Sequence, residues 1–254
     1  ANMTLEAGVK YMVLSGVSSS FLLFGVALIY AYAGTLTIDL EVVADGPHLQ
    51  SGYLIVGSAL LLVGVAFKMS WIPFHMWTPD VYQGAPAPVT GFLAGAVKVA
   101  VFAFAMRWLM MAQGDYLDIL LLGLTVMAVL SMVIGNLLAL RQNNLKRLLG
   151  YSSIAHMGYI IVTLAATATH GAAALSTALE GAAIYLITYA SMTMLAFTVI
   201  SQLAAKDRRF ESGTLADYEG LLFQQPLLAG SLILAMLALA GMPLTAGFIG
   251  KYYL

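Results

Sequence analysis

The chain has 254 residues, 61% of them apolar and 9% charged, with a formal net charge of −1. Soluble domains carry about 25% charged residues, so the solvent implied here is lipid, and the charge balance leaves no basic surface for nucleic acid. Without cysteine there is no disulfide, thiolate metal site or cysteine-ligated iron–sulfur cluster, and His48, His75, His156 and His170 lack metal-ligand spacing.

A membrane-crossing helix needs about 20 mostly apolar residues. Seven segments qualify in chain order, roughly 10–33, 52–72, 89–111, 117–140, 145–167, 173–204 and 226–254. None alternates with period two, so they predict an all-α polytopic bundle rather than a barrel. Gly91, Gly95, Gly181 and Ala182 offer places where helices approach closely. Ahead of the first span, Glu6 and Lys10 stand four residues apart with the acid first, the favourable order for a helix ion pair.

Basic residues gather in two loops. Arg141, Lys146 and Arg147 lie in 140–147, and Lys206, Arg208 and Arg209 in 205–220. If every span crosses once, both loops share the cytoplasmic side. Segment 73–88 joins them there, while 35–50, with Asp39, Glu41 and Asp45, faces the opposite side together with Asp115 and Asp118. The polar stretch 205–225 is too short for a core of its own. The expectation is one domain over residues 1–254, and an incomplete one. The opening "ANMTLEAGVK" lacks an initiating Met, and the closing "GKYYL" falls inside a helical pattern.

Three lysines resist this simple picture. Lys98 lies about nine residues, or some 14 Å, into its span, which is the midplane of a core about 30 Å thick. A charge there costs roughly 2.5–3.5 kcal/mol even on a mild scale. It either pairs with a backbone carbonyl or carries protons. Lys68 either snorkels to the interface or works inside the bundle. Lys251 is followed by too few residues to fix its depth. Desolvation disfavours an ammonium ion, so a buried amine exchanges its proton readily. A row of such amines linked by water is a proton relay.

Lys68 is followed by "SWIPFH" and Lys251 is preceded by "GMPLTAGFIG". Two helices are therefore expected to be broken beside a lysine, in opposite polarity, as in an inverted repeat with a midplane site. Pro243 and Gly247 are the residues expected to open the second. His156, in "GYSSIAHMGYI" with Ser152, Ser153 and Tyr159, reads either as a relay group or as a satisfied core histidine. His75, beside Pro73 and Trp77, either links a water chain to Lys68 or sits at the interface. Glu6 and Lys10 are further relay candidates beside the blander ion pair, and Glu180 reads as interfacial.

"FKMSWIPFHMWTPDVYQGAPAPVTGFLAGAVKVA", "LKRLLGYSSIAHMGYI" and "AGMPLTAGFIGKYYL" resemble the antiporter-like, proton-conducting membrane subunits of respiratory complex I. "WTPDVYQGAP", Trp77 to Pro86, looks like the branch called subunit N; the sister branches L and M usually have "LPDAH" or similar there. The resemblance implies helices six to twelve of fourteen, and implies that Lys68, Lys98 and Lys251 transfer protons. It places the glutamate that pairs with Lys68 before residue 1, so Glu6 is not that residue. It implies no cofactor in this chain, with NADH, FMN, iron–sulfur clusters and quinone in partner subunits. Those partners would be subunit M and the small subunits K, J and A, in a bacterial inner membrane. The alternatives are a subunit of a multisubunit monovalent cation/proton antiporter, which "DVYQGAP" disfavours, and a structural subunit with vestigial lysines.

Overall fold

The computed structural model describes residues 2–35, 52–110, 115–169 and 171–254. Asp39, Glu41, Asp45, His48 and His170 lie outside them. Among the described residues eleven α-helices follow in order. They are α1 (Asn2–Ala33), α2 (Gly52–Met69), α3 (Trp77–Gly84), α4 (Ala87–Ala94), α5 (Ala96–Met110), α6 (Asp115–Ala139), α7 (Leu145–Thr169), α8 (Gly171–Lys206), α9 (Leu221–Gln224), α10 (Pro226–Ala240) and α11 (Ala246–Tyr253). Among the described residues no strand forms beyond one bridge between Asn144 and Thr214.

Among the described residues five stretches are long and apolar enough to cross a membrane: Met3–Ala33, Gly52–Met69, Ala87–Leu109, Leu120–Ala139 and Glu180–Lys206. α7 carries Ser152, Ser153 and His156 among its apolar residues, and its 25 residues reach about 37 Å. α10 and α11 together form the broken last span. The first helix begins at Asn2, so Glu6 and Lys10 lie inside it rather than ahead of it, and Glu180 lies exposed well within α8.

α1 packs along α2 and α6 along α7, with α8 crossing the middle of the bundle. The α1–α2 contact is a backbone contact. A Cβ on Gly25 would stand 2.7 Å from the carbonyl oxygen of Gly57, too close for any side chain. Small residues permit this approach where lipid supplies no drive to separate or join helices. The outer face of α1 leaves Val9, Met12, Phe21 and Phe24 exposed, which suits a lipid-facing helix.

The predicted grouping of loops holds: 73–88, 140–147 and 205–220 meet at one end. Asn144 caps α7 by accepting from the N–H of Arg147 at 3.1 Å. Its side-chain amide donates to the Ser212 carbonyl at 2.8 Å, and Leu145 N–H donates to the Gly213 carbonyl at 2.7 Å. At the same end Asp80 of α3 binds two helices at once. Arg147 Nη1 donates to Oδ1 at 2.6 Å and Lys10 Nζ to Oδ2 at 2.9 Å. Glu6 flanks Lys10 at 2.7 Å, confirming the i,i+4 pair. Lys146 Nζ donates to the Ala85 carbonyl just past α3 at 3.1 Å.

Asp80 lies at the loop end, beyond the apolar spans. Burial raises the proton affinity of its carboxyl, but hydrogen bonds from Lys10 and Arg147 outweigh that and hold it below the usual range. A carboxyl depressed in the folded state stabilises the fold above its unfolded value of about 3.9. That contribution fades as pH falls through the lower folded value. Asp80→Asn is therefore expected to cost about 1–2 kcal/mol at neutral pH, between an exposed and a buried ion pair. Melting of the detergent-purified protein against pH checks it: wild type and variant should differ at pH 7 and converge below about pH 4. Coincident curves throughout would remove the clamp from the stability of the fold.

Candidate functional site

The helix after Lys68 breaks by identifiable means. α2 stops at Met69, and Ser70 takes a left-handed φ of 62°. The groups freed by the break find partners. Trp71 N–H returns to the Ala66 carbonyl at 2.8 Å, and Ile72 N–H donates to Ser131 Oγ on α6 at 3.0 Å. Trp77 Nε1 donates to the Phe67 carbonyl at 2.9 Å, and Thr78 to the Ser70 hydroxyl at 2.7 Å. Three groups there stay open. Trp71 Nε1 and His75 Nδ1 are buried without hydrogen-bond partners, and Lys68 has no ion-pair partner among the described residues. A backbone freed at membrane depth needs water or polar neighbours, and these groups supply donors for such water.

The second break forms differently from expectation. α10 ends in a Schellman motif. Gly241, at φ 79°, donates to the Ala238 carbonyl at 3.0 Å, and Met242 N–H to Leu237 at 3.1 Å. Thr245 then caps α11, accepting from Phe248 N–H. Pro243 merely occupies the linker, and Gly247 lies inside α11, where a Cβ would collide with the Ala238 carbonyl. Gly241, whose lack of a Cβ admits the left-handed turn, opens the helix. Lys251 reaches back from α11 and donates to the Leu239 and Ala240 carbonyls, each at 3.1 Å. The lysine thus caps the negative end of α10.

A third irregularity, unforeseen in the sequence, separates α4 from α5 at Gly95, three residues before Lys98. Lys98 itself is 0% exposed. Its Nζ donates to Ser153 Oγ on α7 at 2.6 Å, and Tyr189 of α8 donates to the same oxygen at 2.5 Å. One turn along α7, His156 lies with its ring centroid 5.3 Å from that of Tyr189. Its Nδ1 shares a 2.5 Å hydrogen bond with the Tyr185 hydroxyl. A cavity of about 10 Å³, room for about one water, separates this pair from Lys251 and is bounded by Thr188, Leu239 and Gly247. Lys251 Nζ also stands 5.5 Å from the Tyr159 ring centroid, within cation–π range.

Buried Lys98 and His156 and half-buried Lys251 are thereby brought into one row, with Ser153, Tyr189 and Tyr185 between them. Lys68 and His75 stand apart at the first break, and Glu6 and Lys10 belong to the ion cluster around Asp80. The tyrosines went unnoticed in the sequence. Their signal was "YLITY", two phenols four residues apart and so on one helix face. Among the described residues no three His, Asp or Glu side chains converge to hold a metal.

A polytopic helical bundle with a row of buried amines, phenols and an imidazole beside a broken helix defines a membrane protein with a polar interior path. The chain belongs to the NADH:quinone oxidoreductase/Mrp antiporter transmembrane family, whose model matches residues 1–254. It is 49% identical to NADH-quinone oxidoreductase subunit N of Ectopseudomonas mendocina over 98% of this chain and 49% of the relative. It therefore spans about half the length of the relatives it matches. A chain of respiratory complex I from Thermus thermophilus superposes with TM-score 0.79 at 39% identity, over 99% of this chain and 52% of that one. A chain of an archaeal membrane-bound sulfane sulfur reductase gives TM-score 0.87 at 30% identity, over 100% and 50%. A chain of the Mrp complex from Dietzia shares the fold, at TM-score 0.83, 24% identity, and 98% and 44% coverage.

Ser153→Ala removes the acceptor of both Lys98 and Tyr189. It is expected to destabilise the bundle by about 1–3 kcal/mol, the usual cost of stranding a buried donor, while Ser153→Thr retains most of the stability. Thermal unfolding of the two variants side by side checks this; equal melting of wild type and Ser153→Ala would show that Lys98 rests on other groups.

Proposed function

We propose that this chain is the central part of a proton-translocating membrane-arm subunit of NADH:quinone oxidoreductase, of the subunit N kind. The observation that carries the reading is the buried row from Lys98 to Lys251. No carboxylate pairs with either amine among the described residues, so each gains or loses a proton without breaking an ion pair.

The row has a defined chemistry. Ser153 accepts from Lys98 and from Tyr189 at once, so it holds the amine in place. For a proton to pass onward, the Tyr189 hydroxyl turns away from Ser153 and toward His156. The imidazole takes a proton at one nitrogen and releases one at the other. Tyr185 fixes which nitrogen is free, and a water in the small cavity bridges to Lys251. Lys68, His75 and the open groups of the first break form the entry from the neighbouring half-channel, with the acidic partner of Lys68 in the part of the protein that precedes residue 1.

NADH, FMN, iron–sulfur clusters and quinone then belong to partner subunits, and their redox chemistry drives the relay from outside this chain. The partners are the antiporter-like subunit M and the small subunits K, J and A, in a bacterial inner membrane. The 49% identity to a subunit N favours this reading over a cation/proton antiporter subunit.

Lys98→Met in the full-length protein fills the same space without a titratable group, and is expected to lower the proton-to-electron ratio of the assembled complex in sealed vesicles. Unchanged pumping by an assembled variant removes the row from proton transport. The corrected second break gives a sharper pair. Pro243→Ala should pump nearly normally, because Gly241 and Thr245 set the break. Lys251→Met should lose most of the pumping, since it removes both the proton carrier and the cap of α10. Equal defects in the two would return the break to the proline.

A further inference from the structure

A cleft of about 810 Å³ opens at the loop end of the bundle, between the start of α1, the turn after α3, the end of α8 and the segment that follows α8. Lys146 lines it, although only 9% of that residue is exposed. Its Nζ donates to the Ala85 carbonyl at 3.1 Å, and Ala85 lines the same cleft, so the ammonium stands in the cleft wall. An ammonium has three hydrogens to donate. Ala85 takes one, and among the described residues no carboxylate pairs with the charge. The adjacent Arg147, by contrast, is already bound to Asp80. A buried charge without a counter-ion is costly, so the cleft calls for an anion.

The remaining lining narrows its chemistry. Thr4, Gln83 and Ser201 bring two hydroxyls and an amide, whereas Ile200 and Phe210 are apolar. Such a lining suits a molecule that is polar at one end and apolar at the other. Glu211 also lines the cleft and is exposed there, which disfavours a multiply charged anion. Arg209 lies 4.5 Å over the Phe210 ring, and its guanidinium donates to Gln224. Gln224 adjoins Phe223, which is 92% exposed. An uncovered apolar side chain therefore stands about one arginine length from the cleft wall. The basic loops at this end mark the cytoplasmic side, whose leaflet carries the anionic lipids.

We propose that this cleft holds the headgroup of a singly charged glycerophospholipid. Its phosphate meets the free hydrogens of Lys146, with Thr4, Gln83 and Ser201 as further donors. Its glycerol and first methylenes lie against Ile200 and Phe210 and lead out toward Phe223. A bound phosphate supplies the counter-charge that the protein itself does not place beside Lys146.

The full-length protein, purified in detergent and stripped of lipid, is titrated with dioleoyl-phosphatidylglycerol while native mass spectrometry counts the lipid retained. Wild type should hold a tightly bound lipid. Lys146→Gln should need about tenfold to a hundredfold more lipid for the same occupancy, the range for losing a hydrogen bond to a charged group. Inorganic phosphate at the same concentrations should displace little of it, because it has no apolar half. Equal retention by wild type and Lys146→Gln overturns the proposal. Displacement by inorganic phosphate also overturns it, since the site would then serve a free ion. A wild type that retains no such lipid does the same, because another part of the full-length protein must then fill the cleft. If Lys146→Gln does not fold, Ser201→Trp decides, since it fills the cleft and leaves the ammonium in place: lost retention supports the site and normal retention removes it. Bound lipid, not pumping, is read throughout, so the outcome is independent of the proton-translocating reading.

Discussion

An amine buried in the midplane with no carboxylate beside it among the described residues is the constraint from which the rest of the bundle follows. Lys98 is stable there only while some oxygen accepts its hydrogen, because an unpartnered polar group in an apolar interior costs several kcal/mol. Ser153 is that oxygen, and it fixes the register of α7 against α5. Tyr189, bound to the same serine, fixes α8 against α7. Three helices are thus indexed to one hydroxyl. The unusual polarity of α7, which sets it apart from the other spans, is the consequence rather than an exception to the membrane pattern.

The two broken helices solve one problem in two ways. At α10 the Schellman turn satisfies the Leu237 and Ala238 carbonyls, and Lys251 satisfies those of Leu239 and Ala240. A positive end group on a helix C-terminus also complements its dipole. Releasing the proton from Lys251 therefore weakens the cap of α10, so that protonation and the geometry of the break are linked at this lysine. At α2 the backbone is satisfied instead by Ser131, by Trp77 and by the return of Trp71 N–H to Ala66. Lys68 takes no part in that network.

The sequence-level reading held wherever a single residue type was out of place. Apolar length announced the spans, and the loop charges grouped the ends correctly. It misjudged features that depend on what a residue touches. Pro243 drew attention because proline breaks helices, yet Gly241 makes the turn: the need for a positive φ is invisible until the chain direction is known. Gly95 looked like a packing residue, and its packing against Met194 is real, but the local break it permits was unreadable. Tyr185 and Tyr189 passed as ordinary aromatic content, because nothing in a lone span shows which face meets a histidine from another helix. Glu6 and Lys10 were read as a local pair. Their third and fourth partners, Asp80 and Arg147, are about 70 residues or more away in sequence.

α3 joins these two levels of organisation. Asp80 and Tyr82 are two residues apart, so they point about 200° apart around the helix. One side of α3 is held by charges from α1 and α7, and on the other Tyr82 packs against Gly150 of α7 and Phe197 of α8. A short helix of eight residues has little stability of its own, so its position is set by these outside contacts. Arg147 and Lys146, which grip it at Asp80 and Ala85, both belong to α7, the same helix that carries Ser153 and His156. Any shift of α3 against α7 must therefore strain the ion cluster at one end and the packing of Tyr82 on Gly150 at the other.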